Sequence, residues 1–184
     1  LLEPASTNVI PYSEDFSQTS FWNSVSNVSI LKNTLSPDGT LNGSKITPNT
    51  TNGQHSVKST GILSTNRYVY TIYVKANGYS FFQIANQSTS DIVNFNLNNG
   101  TYLASNINDE ASINYFGNGW YKCMVYFATS FQGIYNVIIT NINASRLENF
   151  AGNDIDSIDL WGAQAETLSY ATSYIPNSGQ SAGV

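Results

Sequence analysis

Aromatic rings interleaved with lysines and amides at strand spacing are the side chains in this sequence best placed to do chemistry. Residues 68–75 read Tyr-Val-Tyr-Thr-Ile-Tyr-Val-Lys, and residues 120–127 read Trp-Tyr-Lys-Cys-Met-Val-Tyr-Phe. Alternate side chains of a strand point to opposite faces. If Tyr68, Tyr70, Ile72 and Val74 face a core, Tyr73 and Lys75 face away from it. By the same rule Tyr121, Cys123, Val125 and Phe127 turn inward, and Trp120, Lys122 and Tyr126 outward. Residues 79–85 and 92–97 add Gln83, Asn94 and Asn96 to the outward set, with Val93, Phe95 and Leu97 inward. Sugars present CH-rich faces and rims of hydroxyls, which stack on rings and bond to amides and cations. Tyr73, Lys75, Gln83, Asn94, Asn96, Trp120, Lys122 and Tyr126 are therefore the candidate ligand surface, provided that they share one concave sheet. A register slip of one residue would exchange the inward and outward sets.

Catalytic chemistry has less to work with. His55 is the only histidine, and it lies in the polar segment Gly53-Gln54-His55-Ser56 with no partner motif; it reads as a surface histidine. Two carboxylates could serve a glycosidase, but no pair stands out among the twelve acids. Cys123 is a lone cysteine among apolar neighbours and reads as core packing, with no disulfide available. The chain is thus expected to be non-catalytic and without an organic cofactor.

The elements that must position these residues are strands. Residues 68–75, the turn signal Ala76-Asn77-Gly78 and residues 79–85 predict a hairpin. Asn98-Asn99-Gly100-Thr101 predicts a second hairpin after 92–97, and Gly117-Asn118-Gly119 introduces the strand from Trp120. Further strands are expected at 28–31, 43–47, 56–62, 134–142 and 155–163, separated by turns such as Ser36-Pro37-Asp38-Gly39. Asn, Ser and Thr dominate the polar residues, and no helical period is evident. The fold class predicted is all-β: a two-sheet antiparallel β-sandwich of jelly-roll type, one domain over residues 1–184, with an up-and-down barrel as the alternative. Only 10% of residues are charged, the net charge is −5, and the basic residues are dispersed. No phosphate-binding stripe results, so nucleic acid is not an expected partner. No apolar run reaches the roughly 18 to 20 residues of a membrane span, and no basic-then-apolar leader opens the sequence. Asn27, Asn49, Asn86 and Asn143 head Asn-x-Ser/Thr triplets, which arise by chance in so Asn/Ser/Thr-rich a chain.

A series of motifs in order carries a family resemblance: Glu3-Pro4-Ala5 with Thr7-Asn8, Tyr12-Ser13-Glu14-Asp15-Phe16 with Trp22, Ser36-Pro37-Asp38-Gly39-Thr40, Tyr73-Val74-Lys75-Ala76, Gly117-Asn118-Gly119-Trp120-Tyr121-Lys122-Cys123, Trp161-Gly162-Ala163-Gln164, and Ala171-Thr172-Ser173-Tyr174-Ile175-Pro176. Together they resemble carbohydrate-binding-module-like jelly-roll domains of bacterial polysaccharide-degrading enzymes and of phage tail and head-spike proteins. The resemblance implies binding of a polysaccharide or oligosaccharide, no catalysis, and a covalently linked neighbouring domain. It places the protein outside the cell, as a secreted bacterial protein or on a phage virion. Such domains commonly carry a structural calcium. Its need for hard oxygen ligands makes Glu14, Asp15, Asp154, Asp156 and Asp159 the acids to consider. The alternative is a structural or receptor-binding domain of a phage fibre, in which exposed aromatics contact other chains.

Overall fold

The computed structural model describes residues 5–61, 63, 67–106, 108–130 and 132–180. No helix occurs among the described residues. The strands are β1 (Ser24–Ser26), β2 (Val28–Thr34), β3 (Gly43–Pro48), β4 (His55–Lys58), β5 (Val69–Asn77), β6 (Phe81–Asn86), β7 (Ile92–Asn96), β8 (Thr101–Ala104), β9 (Glu110–Gly117), β10 (Trp120–Tyr126), β11 (Ile134–Ile139) and β12 (Ser157–Glu166). They form two six-stranded sheets, ordered β1-β4-β11-β6-β7-β8 and β2-β3-β12-β5-β10-β9, and every strand pairing is antiparallel. The inner eight, β3-β12-β5-β10 over β4-β11-β6-β7, run in the order of a jelly roll: β3 to β4, β5 to β6 and β11 to β12 each change sheet.

The alternation read from sequence sets the core. Tyr68, Tyr70, Ile72 and Val74 meet Cys123, Val125 and Phe127 from the neighbouring strand, and Phe82, Ile84, Val93 and Phe95 from the opposite sheet. One polar contact enters this layer: the Tyr70 hydroxyl donates to Asn136 Oδ1 at 3.1 Å, while the buried Asn136 Nδ2 finds no partner among the described residues. Cys123 is fully buried, and burial pushes its thiol far above the ordinary range, so it packs as an apolar side chain. Phe16, Phe21 and Trp22 also join this core; Phe16 and Phe21 stack at 4.8 and 4.9 Å from Trp22.

The hairpin expected at Ala76-Asn77-Gly78 is absent. β5 pairs with β10 and β12, whereas β6 pairs with β7 and β11, so the Asn77-Gly78 turn carries the chain from one sheet to the other. Gly78 takes φ +107°, and a Cβ there would lie 2.3 Å from Asp156 Oδ1, so both conformation and space require glycine. The hairpin after 92–97 does form, with Asn96 opposite Thr101. The strands β1 and β9 were not anticipated, and the expected strand 56–62 ends at Lys58, with Ile62 outside the described residues.

The two ends of the described chain lie side by side over β12. Asn8 is fully buried; its Nδ2 donates to the carbonyls of Ala163 (3.1 Å) and Ile175 (2.9 Å), and its Oδ1 accepts from the amides of Ile10 and Ala165. Ser13 and Asn177 exchange backbone and side-chain hydrogen bonds, and Tyr12 bridges Ser178. Glu166, also fully buried, takes hydrogen bonds from the hydroxyls of Ser6 and Thr172, the Thr172 amide and the Gln164 side chain. Glu3 and Pro4 of the opening motif lie outside the described residues.

Candidate functional site

The outer face of the β12-β5-β10 sheet carries two rows of side chains fixed by strand register. In one row Trp161 on β12 pairs with Tyr73 on β5, which pairs with Lys122 on β10. In the next, Lys45 on β3 pairs with Asp159, Asp159 with Lys75, and Lys75 with Trp120. Tyr73, Trp120 and Trp161 form an aromatic cluster against which Tyr174 packs. The Tyr73 ring centroid lies 5.1 Å from that of Trp161 and 4.8 Å from that of Phe116, and Trp161 lies 4.4 Å from Tyr174. All these rings are tilted or edge-to-face, as aromatic quadrupoles prefer.

Above the cluster opens a cleft of about 540 Å³, lined by Pro37, Asp38, Tyr73, Phe116, Lys122, Trp161, Ser173 and Tyr174. Lys122 extends its ammonium over the Tyr73 ring, 5.9 Å from the centroid, and donates to the Thr172 carbonyl at 3.3 Å. Two rings of the wall are held from behind through one carboxylate. Trp161 Nε1 donates to Asn42 Oδ1 at 3.0 Å, Asn42 Nδ2 donates to Glu14 Oε2 at 2.9 Å, and the Tyr174 hydroxyl donates to Glu14 Oε1 at 2.9 Å. Burial first, and then the Glu14 charge, keep the Tyr174 phenol protonated far above its ordinary range, so it remains a donor. Behind this wall lies a smaller polar cleft of about 240 Å³, with Glu14, Asp15, Lys32 and Asn42 among its lining residues. Gly162 takes φ +64° at an irregularity in the pairing of β12, and a Cβ there would stand 2.9 Å from Tyr73 and 3.3 Å from Tyr174. The missing side chain is what lets the two rings close over the strand.

The eight residues singled out from sequence divide between the sheets. Tyr73, Lys75, Trp120, Lys122 and Tyr126 belong to the aromatic sheet; Gln83, Asn94 and Asn96 belong to the other, so the premise of one shared sheet fails. Tyr73 and Lys122 line the cleft. Trp120 is outward but only 1% exposed, and it supports the cluster from within. Lys75 lies in the adjacent row, and Tyr126 lies four residues along β10 from Lys122, about 13 Å at strand rise. Gln83 and Asn94 are buried beneath residues 140–148. Gln83 Nε2 donates to Asn94 Oδ1 and the Ser145 carbonyl, Gln83 Oε1 accepts from the Leu147 amide, and Asn94 Nδ2 donates to the carbonyls of Ile142 and Ala144. Their amides pin a loop. Asn96 Oδ1 accepts from the Asn98 amide and shapes the β7–β8 turn.

Of the acids considered for calcium, Glu14, Asp15 and Asp156 hold hydrogen bonds of their own, whereas Asp159 leaves its buried Oδ1 without a partner among the described residues and Asp154 is exposed. Asp15 takes hydrogen bonds from Ser17 and Gln18 and a 3.0 Å ion pair from Lys32; burial raises its carboxyl, but these donors outweigh burial and hold it at about 2. Glu14 is the clamp of the aromatic wall. Asp159 is pushed up by burial and pulled down by Lys45 and Lys75, whose charges disfavour a cation at that point. Asp156 accepts from the Asn153 side chain, and Asp154 is exposed at φ 57°. Among the described residues no three His, Cys, Asp or Glu side chains gather into a metal-holding group.

His55 departs from its expected surface position. It is fully buried against Phe150, and its ring nitrogens face two carbonyls, Nδ1 that of Asn27 and Nε2 that of Phe150, each at 2.8 Å. A neutral imidazole donates to one of these, and an imidazolium to both. Its role is to tie β4 to the segments before β2 and before β12.

Trp161, Tyr174, Phe116, Asp38 and Glu14 are site residues that the strand alternation around 68–75 and 120–127 did not reach. Trp161 and Tyr174 stand inside the terminal motifs, and the apolar Ile158 and Leu160 give the parity that turns Trp161 outward. The chain matches no protein-family model and no curated protein.

Proposed function

We propose that this chain is a non-catalytic carbohydrate-binding domain whose glycan site is the cleft over Tyr73, Phe116, Trp161 and Tyr174. The observation that carries this reading is the cleft itself: an opening of about 540 Å³ walled by four aromatic rings, with one ammonium and one carboxylate among its lining groups. Phe116 and the half-buried Tyr174 offer the stacking surface that a pyranose face needs, with the buried Tyr73 and Trp161 supporting them from beneath, and Lys122, Asp38 and Ser173 offer donors and acceptors for its hydroxyls. Phe116, 54% exposed, is the ring most open to a ligand. In this reading the domain tethers a covalently attached enzyme or adhesin to an extracellular polysaccharide, as the motif series in the sequence implies.

A glycan array spanning neutral, uronate and sulfated polysaccharides, followed by calorimetry on the hits, tests the proposal. Phe116→Ala is expected to weaken binding about tenfold, the loss of one stacking contact of roughly 1.5 kcal/mol, while leaving the melting temperature unchanged. No binder on the array, or equal affinity in the variant, overturns it.

A second reading has its own observation. β8 and β9 are edge strands of the two sheets, and they expose Tyr102, Leu103, Tyr115 and Phe116. Open edges with exposed apolar side chains invite pairing with another chain, which suits a structural or receptor-binding domain of a phage fibre. A concentration-independent trimer that Tyr115→Lys dissociates would favour the fibre over the binding module.

A further inference from the structure

The sheet opposite the aromatic cleft carries two cations on one ring. Along β4 and β11 the period-two alternation turns Val57, Ile134 and Ile138 into the core, so the paired residues Lys58 and Tyr135 stand on the outer face. Lys58 Nζ lies 5.2 Å from the Tyr135 ring centroid, and the Arg146 guanidinium lies 5.4 Å from the same centroid. Arg146 belongs to the segment 140–148, and the buried Gln83 fixes the backbone on both sides of it: Nε2 donates to the Ser145 carbonyl, and Oε1 accepts from the Leu147 amide. Leu147 takes φ 54°, a left-handed conformation that a residue with a side chain adopts only at a cost. The Gln83 amide thus holds a strained turn that sets one cation against another.

Neither charge is neutralised. The ion pair found among the described residues is Lys32–Asp15, and Glu148, the acid nearest to Arg146 in sequence, commits both carboxylate oxygens to the Thr140 amide and hydroxyl. Lys58 is only 7% exposed, yet among the described residues its ammonium makes a single hydrogen bond, to Gln54 Oε1 at 3.2 Å. The guanidinium likewise makes one, from Nη2 to the Asn86 carbonyl at 2.9 Å, and its Nε is buried with no partner among them. The two charges act on each other: burial first, and then the Arg146 charge, draw the Lys58 ammonium below its ordinary range. A ring face offsets only part of the cost of desolvating a cation. What the pair lacks is an acceptor that carries negative charge.

We propose that Lys58 and Arg146, set against Tyr135, bind a doubly charged oxyanion: the phosphate of a phosphate monoester, or the free phosphate or sulfate ion. Two unneutralised cations match two negative charges, and several oxygens on one centre can take hydrogen bonds from an ammonium and a guanidinium at once. A singly charged carboxylate would leave one cation unmatched. Tyr135 and Arg146 are half-buried, which keeps the site within reach of solvent. It stands on the other sheet from Tyr73 and Trp161, so it does not depend on the glycan reading of that cleft.

Thermal unfolding at constant ionic strength, with phosphate, sulfate or acetate replacing part of the chloride, reads the site directly. Phosphate at hundredfold excess over its dissociation constant is expected to raise the melting temperature by about 5–10 °C, and acetate by much less. Lys58→Met and Arg146→Gln should each abolish that rise. In chloride alone each should melt no lower than the wild type, because the like charge it faced is gone. Circular dichroism checks that each variant folds, and if one does not, the other decides. Calorimetry with a glucose phosphate monoester and with inorganic phosphate separates the sources: binding of both marks a site for a phosphorylated glycan, and binding of the inorganic ion alone a site for the free ion. The proposal is overturned if phosphate and sulfate at about 10 mM, tenfold above a millimolar dissociation constant, shift the wild type no more than acetate does, or if both variants respond as the wild type does. If the two cations merely brace the ring, both variants will melt lower in chloride and no anion will distinguish them from the wild type, which also overturns it.

Discussion

Asn8 offers the sharpest test of whether the two ends belong to the cooperative fold. Its side chain serves four backbone groups, the carbonyls of Ala163 and Ile175 and the amides of Ile10 and Ala165, and it has no exposure to water. A buried hydrogen bond contributes roughly 1 kcal/mol net, and leaving its partner unsatisfied costs about 1–3 kcal/mol. Asn8→Ala strands all four groups, and partial rescue by water brings the expected loss to about 3–5 kcal/mol. Asn8→Asp keeps the shape but replaces the amide donor with a carboxylate aimed at two carbonyl oxygens. At pH 7 it should therefore be at least as damaging as alanine, through an unpaired buried charge. The sign with pH follows. The neutral acid retains a donor, so folding favours it and raises the carboxyl's pKa in the native state; the deficit against wild type should shrink as pH falls through that raised value. Urea unfolding followed by tryptophan fluorescence, at pH 7 and in steps down to pH 4, measures both effects. A loss below about 1 kcal/mol for Asn8→Ala, or an Asn8→Asp curve parallel to wild type at every pH, refutes the idea that the ends are stitched into the sandwich.

Two further outcomes follow from the polar contacts. Asn94→Leu removes two donors to the carbonyls of Ile142 and Ala144 and one of the two acceptors of Gln83 Nε2; it should cost about 2–3 kcal/mol and open residues 140–148 to limited proteolysis, and an unchanged digestion pattern would count against the anchoring role. Asp15 is held at about 2 rather than 3.8, so its contribution is complete above pH 4 and lost as pH falls towards 2. The shift corresponds to roughly 2 kcal/mol, which partial exposure of the pair reduces to about 1; Asp15→Asn should flatten the acid limb of the stability curve by that amount, and superimposable limbs would contradict it.

The alternation of Tyr68, Tyr70, Ile72 and Val74, and of Cys123, Val125 and Phe127, was legible in the sequence because a sandwich core imposes period two on any strand that crosses it. Facing outward, however, was not the same as facing water. Tyr73 and Trp161 are roofed by Tyr174 and Phe116, and Gln83 and Asn94 by residues 140–148, segments distant in sequence whose return no local pattern announces. Asn77-Gly78 signalled a turn correctly, but a turn signal says nothing about whether the next strand pairs beside the last or crosses to the other sheet. β9 escaped notice because its inner positions, Ala111 and Ile113, are small or half-covered.

The placement of β11 and β12 sets the timing of folding. In each sheet a late strand fills the middle: β11 joins β4 to β6, and β12 joins β3 to β5. A chain emerging from the ribosome would thus hold two half-sheets on each side of the sandwich, with open edges flanking both gaps, until residues 134–166 arrive. Synthesis proceeds from the N-terminus, so the earlier strands must wait with unpaired edges, and long-range pairing of this kind is slow. The last strands act as twin keystones, and any partner or chaperone that shields β3, β5, β4 and β6 before then would govern the yield of folded protein.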